Sequence, residues 1–284
     1  MISFGPSGFC DDYAQAGHKK SEEMPKWLEE HGLSAYEISF TNGINMSDEK
    51  CALLGKLFAE KNIVLSVHGP YYINFANPDG AMIEKSIGYI INSLKKMKLL
   101  GAKRLVFHPG ALMKQTREEA HARILANLKL LMQKIDEQNF DFDFQICPET
   151  MGKHGQCGTP KEVAEMCAID KRIVPTLDFG HINAFGQGSL KTEEDFRNVF
   201  DILASFIGER SKNVHIHFTH IEYGPKGEIK HVLSDNNPQG FGPEFGPLAK
   251  VLKEYDISGE IISESPGHQT RESVEMMQIY KNTK

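Results

Sequence analysis

Side chains that commonly bind divalent metal ions recur along the chain, each at the end of a short apolar or β-branched run. Imidazoles and carboxylates without cysteine form a donor set that suits Zn²⁺, Mn²⁺ or Fe²⁺. If the ends of these runs meet in space, they predict a metal site. The residues are His68, His108, Glu149, Asp178, His181, His217 and Glu264.

The apolar runs predict eight strands, over 2–4, 35–40, 64–68, 104–108, 142–149, 174–178, 213–218 and 260–264. Amphipathic stretches predict helices between and after them, over 22–31, 48–61, 82–100, 117–138, 160–169, 193–207, 244–255 and 272–281. Such alternation predicts βαβ units and a parallel sheet. Eight units favour an α/β fold of the (β/α)₈ TIM-barrel type, as one domain over 1–284. The strand ends of a TIM barrel share one mouth, where active sites form. We therefore expect the metal site at that face.

Two local patterns refine the expected ligand set. Asp178 and His181 have D-x-x-H spacing where a strand runs into a turn, so they could serve neighbouring metals. His215 and His217 alternate onto one strand face, and His217 lies nearer the C-terminal end. His217 is therefore the better ligand. His215 is expected in the core or behind a ligand, and His220 is a local alternative.

The carboxylates also allow a metal-free interpretation. Glu149, Asp178 and Glu264 could form an acid–base set like that of a glycosidase. The accompanying histidines would then have no role, so metal binding is the preferred interpretation. The stretch 221–243 contains four glycines and is predicted to be a long irregular loop with a functional role.

Composition narrows the protein class. The chain has 284 residues, a formal charge of −6 and five cysteines without a C-x-x-C pair. These cysteines are expected to be reduced, which favours a cytoplasmic location. The sequence shows neither a signal peptide nor a run long enough to cross a membrane. We expect a monomer without membrane contact.

The motifs that contain these residues resemble those of a known family, endonuclease IV (AP endonuclease family 2), whose members have a xylose-isomerase-like TIM barrel. Six segments resemble its metal-site motifs in order and spacing: Ser66-Val67-His68-Gly69-Pro70-Tyr71-Tyr72-Ile73-Asn74, Val106-Phe107-His108-Pro109-Gly110, Cys147-Pro148-Glu149-Thr150, Leu177-Asp178-Phe179-Gly180-His181, His217-Phe218-Thr219-His220 and Ser263-Glu264-Ser265-Pro266. The similarity runs from about 64 to 267.

The resemblance implies a zinc-dependent phosphodiester hydrolase that incises duplex DNA on the 5′ side of abasic sites during base excision repair. It implies two to three Zn²⁺ ions and makes Glu149 the catalytic residue that bridges two of them. The first ion would be held by His68 and His108 with Glu149. Asp178, His217 and Glu264 would complete the second site, His181 and His231 would bind the third, and Tyr72 would contact DNA.

Two positions depart from the family pattern. The third metal expects D-x-H, but Ile229 stands where the aspartate belongs, so Glu228 or a water would have to substitute. The loop over 41–46 lacks the arginine that family members use to hold bent DNA.

Two other functions remain open. A single-metal sugar isomerase or epimerase of the xylose-isomerase-like type would share the barrel and a Glu/Asp/His centre. A non-catalytic protein that binds metal or nucleic acid would keep the barrel alone. The number of histidines favours a multinuclear centre over the isomerase.

Overall fold

Eight parallel strands form the centre of the fold in the computed structural model, which describes residues 2–233, 235 and 237–284. The strands are β1 (Ile2–Pro6), β2 (Ala35–Ser39), β3 (Val64–His68), β4 (Arg104–Phe107), β5 (Gln145–Pro148), β6 (Thr176–Asp178), β7 (Asn213–Phe218) and β8 (Ser258–Ser263). They form two sheets, in the orders β1-β8-β7-β6 and β2-β3-β4-β5. Parallel bridges Ser7–Glu37 and Glu149–Thr176 connect the sheets on both sides. The strands thus close into the expected α/β barrel, which is confirmed.

Helices follow the barrel strands. They span Asp11–Gln15, Met24–Glu30, Asp48–Glu60, Gly80–Leu100, Arg117–Asp136, Pro160–Cys167, Phe179–Phe185, Glu193–Ile207, Phe245–Glu254 and Gln269–Asn282, with 3₁₀ turns at Ser21–Glu23 and Gly208–Lys212. Thr116, Thr159 and Thr192 begin their helices with reciprocal capping boxes, which satisfy otherwise unpaired amide groups. Their apolar faces pack on the barrel and form the main core.

The expected irregular loop over 221–243 is wrong in its first part. A β-hairpin of strands His220–Gly224 and Gly227–Val232 projects from the end of β7. Its turn is Gly224-Pro225-Lys226-Gly227, and Gly227 has a φ of +88° that favours glycine. Residues 234 and 236 of the stretch lie outside the described residues. No described helix is both long and apolar enough to span a membrane.

The β1–β2 junction closes the barrel at close range. A Cβ built on Gly5 would lie 1.7 Å from the carbonyl oxygen of Ala35 in β2. Ser34 and Gly8 donate main-chain hydrogen bonds across this junction, to Phe4 and Glu37. Any side chain at position 5 would therefore push β1 away from β2.

We predict that Gly5→Ala lowers the free energy of unfolding by about 1–3 kcal/mol, because the added methyl overpacks the junction. Chemical denaturation followed by circular dichroism measures this. Gly88→Ala is the matched control, since nothing lies within 4 Å of its Cβ in the helix Gly80–Leu100. It should raise stability by about 0.5–1 kcal/mol. Equal effects of the two variants would contradict the close-approach argument.

Candidate metal centre

All the ligands expected from the sequence lie together at the C-terminal ends of the strands. They fall into three groups in which candidate ligand atoms are within 4.8 Å of one another. The first is His68, His108 and Glu149. The second is Glu149, Asp178, His217 and Glu264. The third is His181, Glu228 and His231.

Glu149 belongs to both of the first two groups. It directly follows β5 and is fully buried. Its Oε2 lies 3.3 Å from His68 Nε2 and 3.1 Å from His108 Nε2. Its Oε1 lies 3.1 Å from His217 Nδ1. The two oxygens of one carboxylate therefore face two different sets of imidazoles, as a bridging ligand requires.

Asp178 ends β6 and begins the helix Phe179–Phe185. Its Oδ1 accepts a hydrogen bond of 2.7 Å from the His181 amide, as an N-cap does. Its Oδ2 is buried, lies 3.1 Å from His181 Nδ1 and makes no hydrogen bond of regular geometry among the described residues. A buried carboxylate oxygen without an aligned donor is costly. A cation held by the second group would satisfy it, so the donor set fits a divalent metal.

Main-chain carbonyls orient three of the histidines. The Nδ1 atoms of His68, His181 and His231 donate to the carbonyl oxygens of Gly69, Thr150 and Glu264, at 2.9, 3.0 and 3.3 Å. A carbonyl can only accept, so each contact keeps a proton on Nδ1 and leaves Nε2 as the nitrogen that would bind a metal. The three rings are thereby prepared for metal ligation through Nε2.

The third group uses Glu228 in place of the missing aspartate. The hairpin pairs Glu222 with Lys230 but Tyr223 with Glu228, so Ile229 is an extra residue in a β-bulge. Ile229 is consequently exposed, while the Glu228 side chain is mostly buried, with its Oε2 3.4 Å from His181 Nε2. The bulge brings Glu228 to the side of His231 that a regular strand would give to position 229.

The loop after β5 holds the hairpin in this position. Glu228 N donates to the Gly152 carbonyl at 2.9 Å, and Lys153 pairs with Gly227. A Cβ on Gly152 would lie 2.8 Å from the Glu228 Cβ and 2.9 Å from His181 Cδ2. Glycine at 152 therefore allows the third group to assemble.

The charges of the centre balance one another only partly. Burial would raise the pKa of Glu149, but His217 and His108 hold it well below its usual range. Burial raises the pKa of Asp178 to about 6, against the opposing charge of His181. Burial would lower the pKa of His181, but Asp178 and Glu149 outweigh it and raise that pKa to about 10. Protons thus supply the positive charge that metal ions would otherwise bring.

An open cavity of about 650 Å³ lies over the centre and is lined by His68, His108, His181, His231 and Glu264. Tyr71 forms part of its wall and stacks on His108, with ring centroids 5.0 Å apart. Tyr72 is not among the residues that line the cavity, is 57% exposed, and has its ring centroid 6.1 Å from that of Tyr89. Candidate ligands from all three groups therefore face an open cavity.

Some predicted and missed residues lie behind the ligands. His215 is fully buried beneath His217, in agreement with its expected core position. His220 lies near Glu244 and outside the three groups. Sequence analysis missed Glu37, whose Oε1 is 3.1 Å from His217 Nε2. The available signal was a glutamate in the middle of an otherwise apolar strand.

Sequence comparisons relate the chain to other proteins. A family model described as xylose isomerase-like TIM barrel matches residues 25–280. An uncharacterized protein of Methanocaldococcus jannaschii is 33% identical over 241 residues, 84% of each chain. A probable endonuclease 4 of Mycoplasma genitalium is 32% identical over 206 residues, 68% of this chain. The match spans 64% of that relative's length.

Solved structures show the same fold at low sequence identity. Endonuclease IV from Thermus thermophilus superposes with a TM-score of 0.65 at 19% identity, covering 99% of this chain and 98% of that one. A D-tagatose 3-epimerase-like protein gives 0.71 at 20% identity, covering 98% and 97%. At these identities both establish the barrel architecture alone.

We predict that Glu228→Gln weakens the third group for Zn²⁺ by about tenfold or more, because an amide is a poorer ligand than a carboxylate. Equilibrium dialysis with elemental analysis measures the bound metal. Ile229→Ala is the matched control, since this neighbouring side chain points to solvent, and it should leave zinc binding unchanged. Zinc binding that is unchanged in Glu228→Gln but weakened in Ile229→Ala would show that the bulge does not make Glu228 the ligand.

Metal uptake should also depend on pH. His181 is protonated below a pKa of about 10 and Asp178 below about 6, so protons compete with metal as the pH falls. Zinc affinity should drop by about tenfold per pH unit for each proton displaced. Addition of Zn²⁺ to metal-free protein in weak buffer should acidify the solution, because the bound metal displaces protons from its ligands. Equal affinity at pH 6 and pH 8 would contradict this arrangement.

Proposed function

This chain belongs to the xylose isomerase-like TIM-barrel family, and we propose that it is a zinc-dependent phosphodiester hydrolase that incises DNA on the 5′ side of abasic sites. The observation that carries the proposal is the shared carboxylate of Glu149. It faces His68 and His108 with one oxygen and His217 with the other. A carboxylate placed in this way supports two adjacent metal ions rather than one.

The donor set supports zinc. The three groups contain five imidazoles and four carboxylates, and none of them contains a cysteine. When bound, the ions supply Lewis-acid activation of a water and neutralise negative charge on a phosphodiester. The protein residues hold the ligand geometry. Glu149 fixes the spacing of the first two groups, and the hairpin brings the third group over the cavity.

The surface around the centre favours a nucleic acid over a small sugar. Among the described residues, the five most exposed large hydrophobic side chains all lie in segments that follow barrel strands, and they are 55–58% exposed: Phe9, Tyr71, Tyr72, Met113 and Ile229. Such side chains can stack on bases or occupy the space of a displaced nucleotide. Tyr72 is the proposed DNA-contacting residue.

Lysines in the same segments add positive charge near the C-terminal ends of the barrel strands. Lys114 follows β4, Lys153 follows β5, and Lys226 and Lys230 lie in the hairpin; all four are exposed. They can contact phosphates although the whole chain carries a net charge of −6. The probable endonuclease 4 relative is named for an activity of this class, which is consistent with the proposal.

The alternative is a sugar epimerase, the activity named for the D-tagatose 3-epimerase-like structure. The second group alone, with Glu149, Asp178, His217 and Glu264, has the composition expected for a single divalent ion. An epimerase would leave the ligands of the first and third groups without a role. The nuclease is therefore the preferred function.

The test is incubation of zinc-loaded protein with a labelled duplex that carries one abasic-site analogue. We expect incision 5′ of the analogue, loss with EDTA and recovery with Zn²⁺. Glu149→Gln should reduce incision by more than the roughly 10–100-fold cost of a lost outer-shell partner, since it disturbs two groups at once. Glu60→Gln, on the exposed end of an outer helix, is the matched control.

A parallel assay follows ketohexose epimerisation with Mn²⁺, Co²⁺ or Mg²⁺. Epimerisation that Glu149→Gln abolishes, without incision of the duplex, would replace the nuclease by the epimerase. Binding of the duplex without incision would instead indicate a non-catalytic DNA-binding protein.

A further inference from the structure

His217 is oriented differently from the other histidines of the centre. Its Nδ1 faces the second group, 3.1 Å from Glu149 Oε1 and 3.5 Å from Glu264 Oε2. Its Nε2 lies 3.1 Å from Glu37 Oε1. His68, His181 and His231 each have a neutral main-chain carbonyl at the corresponding nitrogen. His181 Nδ1 also lies near Asp178 and Glu149, which belong to the metal groups themselves. Among these four histidines, His217 alone has at that nitrogen a carboxylate from outside the three groups.

The contact between His217 and Glu37 is buried. His217 and Glu37 are both fully buried. Neither His217 Nε2 nor Glu37 Oε1 has a hydrogen-bond partner of regular geometry among the described residues, and the two atoms lie 3.1 Å apart. A small rotation of either side chain would align them and satisfy both buried atoms.

Glu37 is held from its other oxygen. Ser66, its register partner on β3, donates to Glu37 Oε2 at 3.0 Å. His215 Nε2 lies 3.0 Å from the same oxygen, and its Nδ1 is 2.9 Å from Glu260 Oε2. Arg104 Nη1 lies 3.4 Å from Glu260 and donates to the Val214 carbonyl. A continuous chain of polar contacts thus runs through the barrel interior from Arg104 to His217.

We propose that Glu37 is a positioning residue that keeps the proton of His217 on Nε2, so that Nδ1 is the metal-binding atom. A carboxylate at the outer nitrogen fixes the ring orientation and increases the basicity of the inner nitrogen. The neutral carbonyls behind His68 and His231 do only the first of these. Glu37 therefore strengthens the second group selectively. The inference rests on the metal centre of the proposed function.

A different interpretation is that Glu37, His215 and His217 themselves hold a metal ion, because their ligand atoms lie within 4.8 Å of one another. His217 would then have to bind ions through both nitrogens, and His215 Nε2 would have to give up its hydrogen bond to Glu37. Positioning requires neither change, so we take it as the role of the cluster.

The test is zinc affinity of the purified protein, measured by competition with a chelator of known affinity. Asp178→Asn, which removes a ligand from the second group alone, identifies the binding step that belongs to this group. Glu37→Gln should weaken that step by about 10–100-fold and leave the other steps unchanged. Ser66→Ala is the matched control, since it removes a contact to Glu37 without touching His217, and it should change affinity less than threefold.

Two further measurements separate positioning from loss of structure. Circular dichroism should show a folded Glu37→Gln protein, and Glu37→Asp serves as a second variant if it does not. ¹⁵N spectra of histidine-labelled, zinc-loaded protein should show the His217 proton on Nε2 in the wild type. In Glu37→Gln, the spectra should no longer show the His217 proton on Nε2 alone.

The outcomes are distinct. Wild-type protein that binds no zinc would remove the proposed function. Wild-type protein that binds zinc, with an unchanged second step in both folded Glu37 variants, would overturn only the role of Glu37. A variant that holds one ion fewer even at saturating zinc would assign the Glu37 cluster as a metal site and overturn the positioning role.

Discussion

A carboxylate removed from water requires positive charge or hydrogen-bond donors around it, and this requirement organises the upper half of the barrel. Glu149 and Asp178 are fully buried at the ends of β5 and β6. Imidazoles from β3, β4 and β7 surround Glu149 because parallel strands of a closed barrel end at a common rim. Protons on the histidines can neutralise part of the negative charge of these carboxylates. Divalent ions would neutralise the same charge without placing protonated imidazoles next to one another.

The same requirement extends downward along the axis. Glu37 and Glu260 are buried between Arg104, His215 and His217, so the barrel interior is a polar column rather than an apolar one. The large apolar core lies instead between the strands and the outer helices. Removal of one member of this column would leave a neighbouring charge buried without a partner. The free-energy cost of such an unpaired charge exceeds the net stabilisation that a buried ion pair provides.

Much of the fold and most of the ligand set follow from the sequence. Apolar runs separated by amphipathic segments identify all eight barrel strands, and a ligand such as His68 or Glu264 is visible because it ends or follows one. Glu37 escaped notice because a buried partner three strands away in the barrel is not encoded locally. The hairpin escaped notice because its glycines are typical of loops, whereas its pairing depends on the neighbouring segment that contains Gly152.

Ile229 illustrates how a ligand can shift along a chain. One additional residue in a hairpin moves a carboxylate to a neighbouring position, while His231 and the turn keep their places. A search pattern with fixed spacing would classify this chain as lacking the third group of candidate ligands. Pairing register rather than residue number decides which side chain faces inward, so lineages with unequal hairpins can retain equivalent chemistry under different signatures.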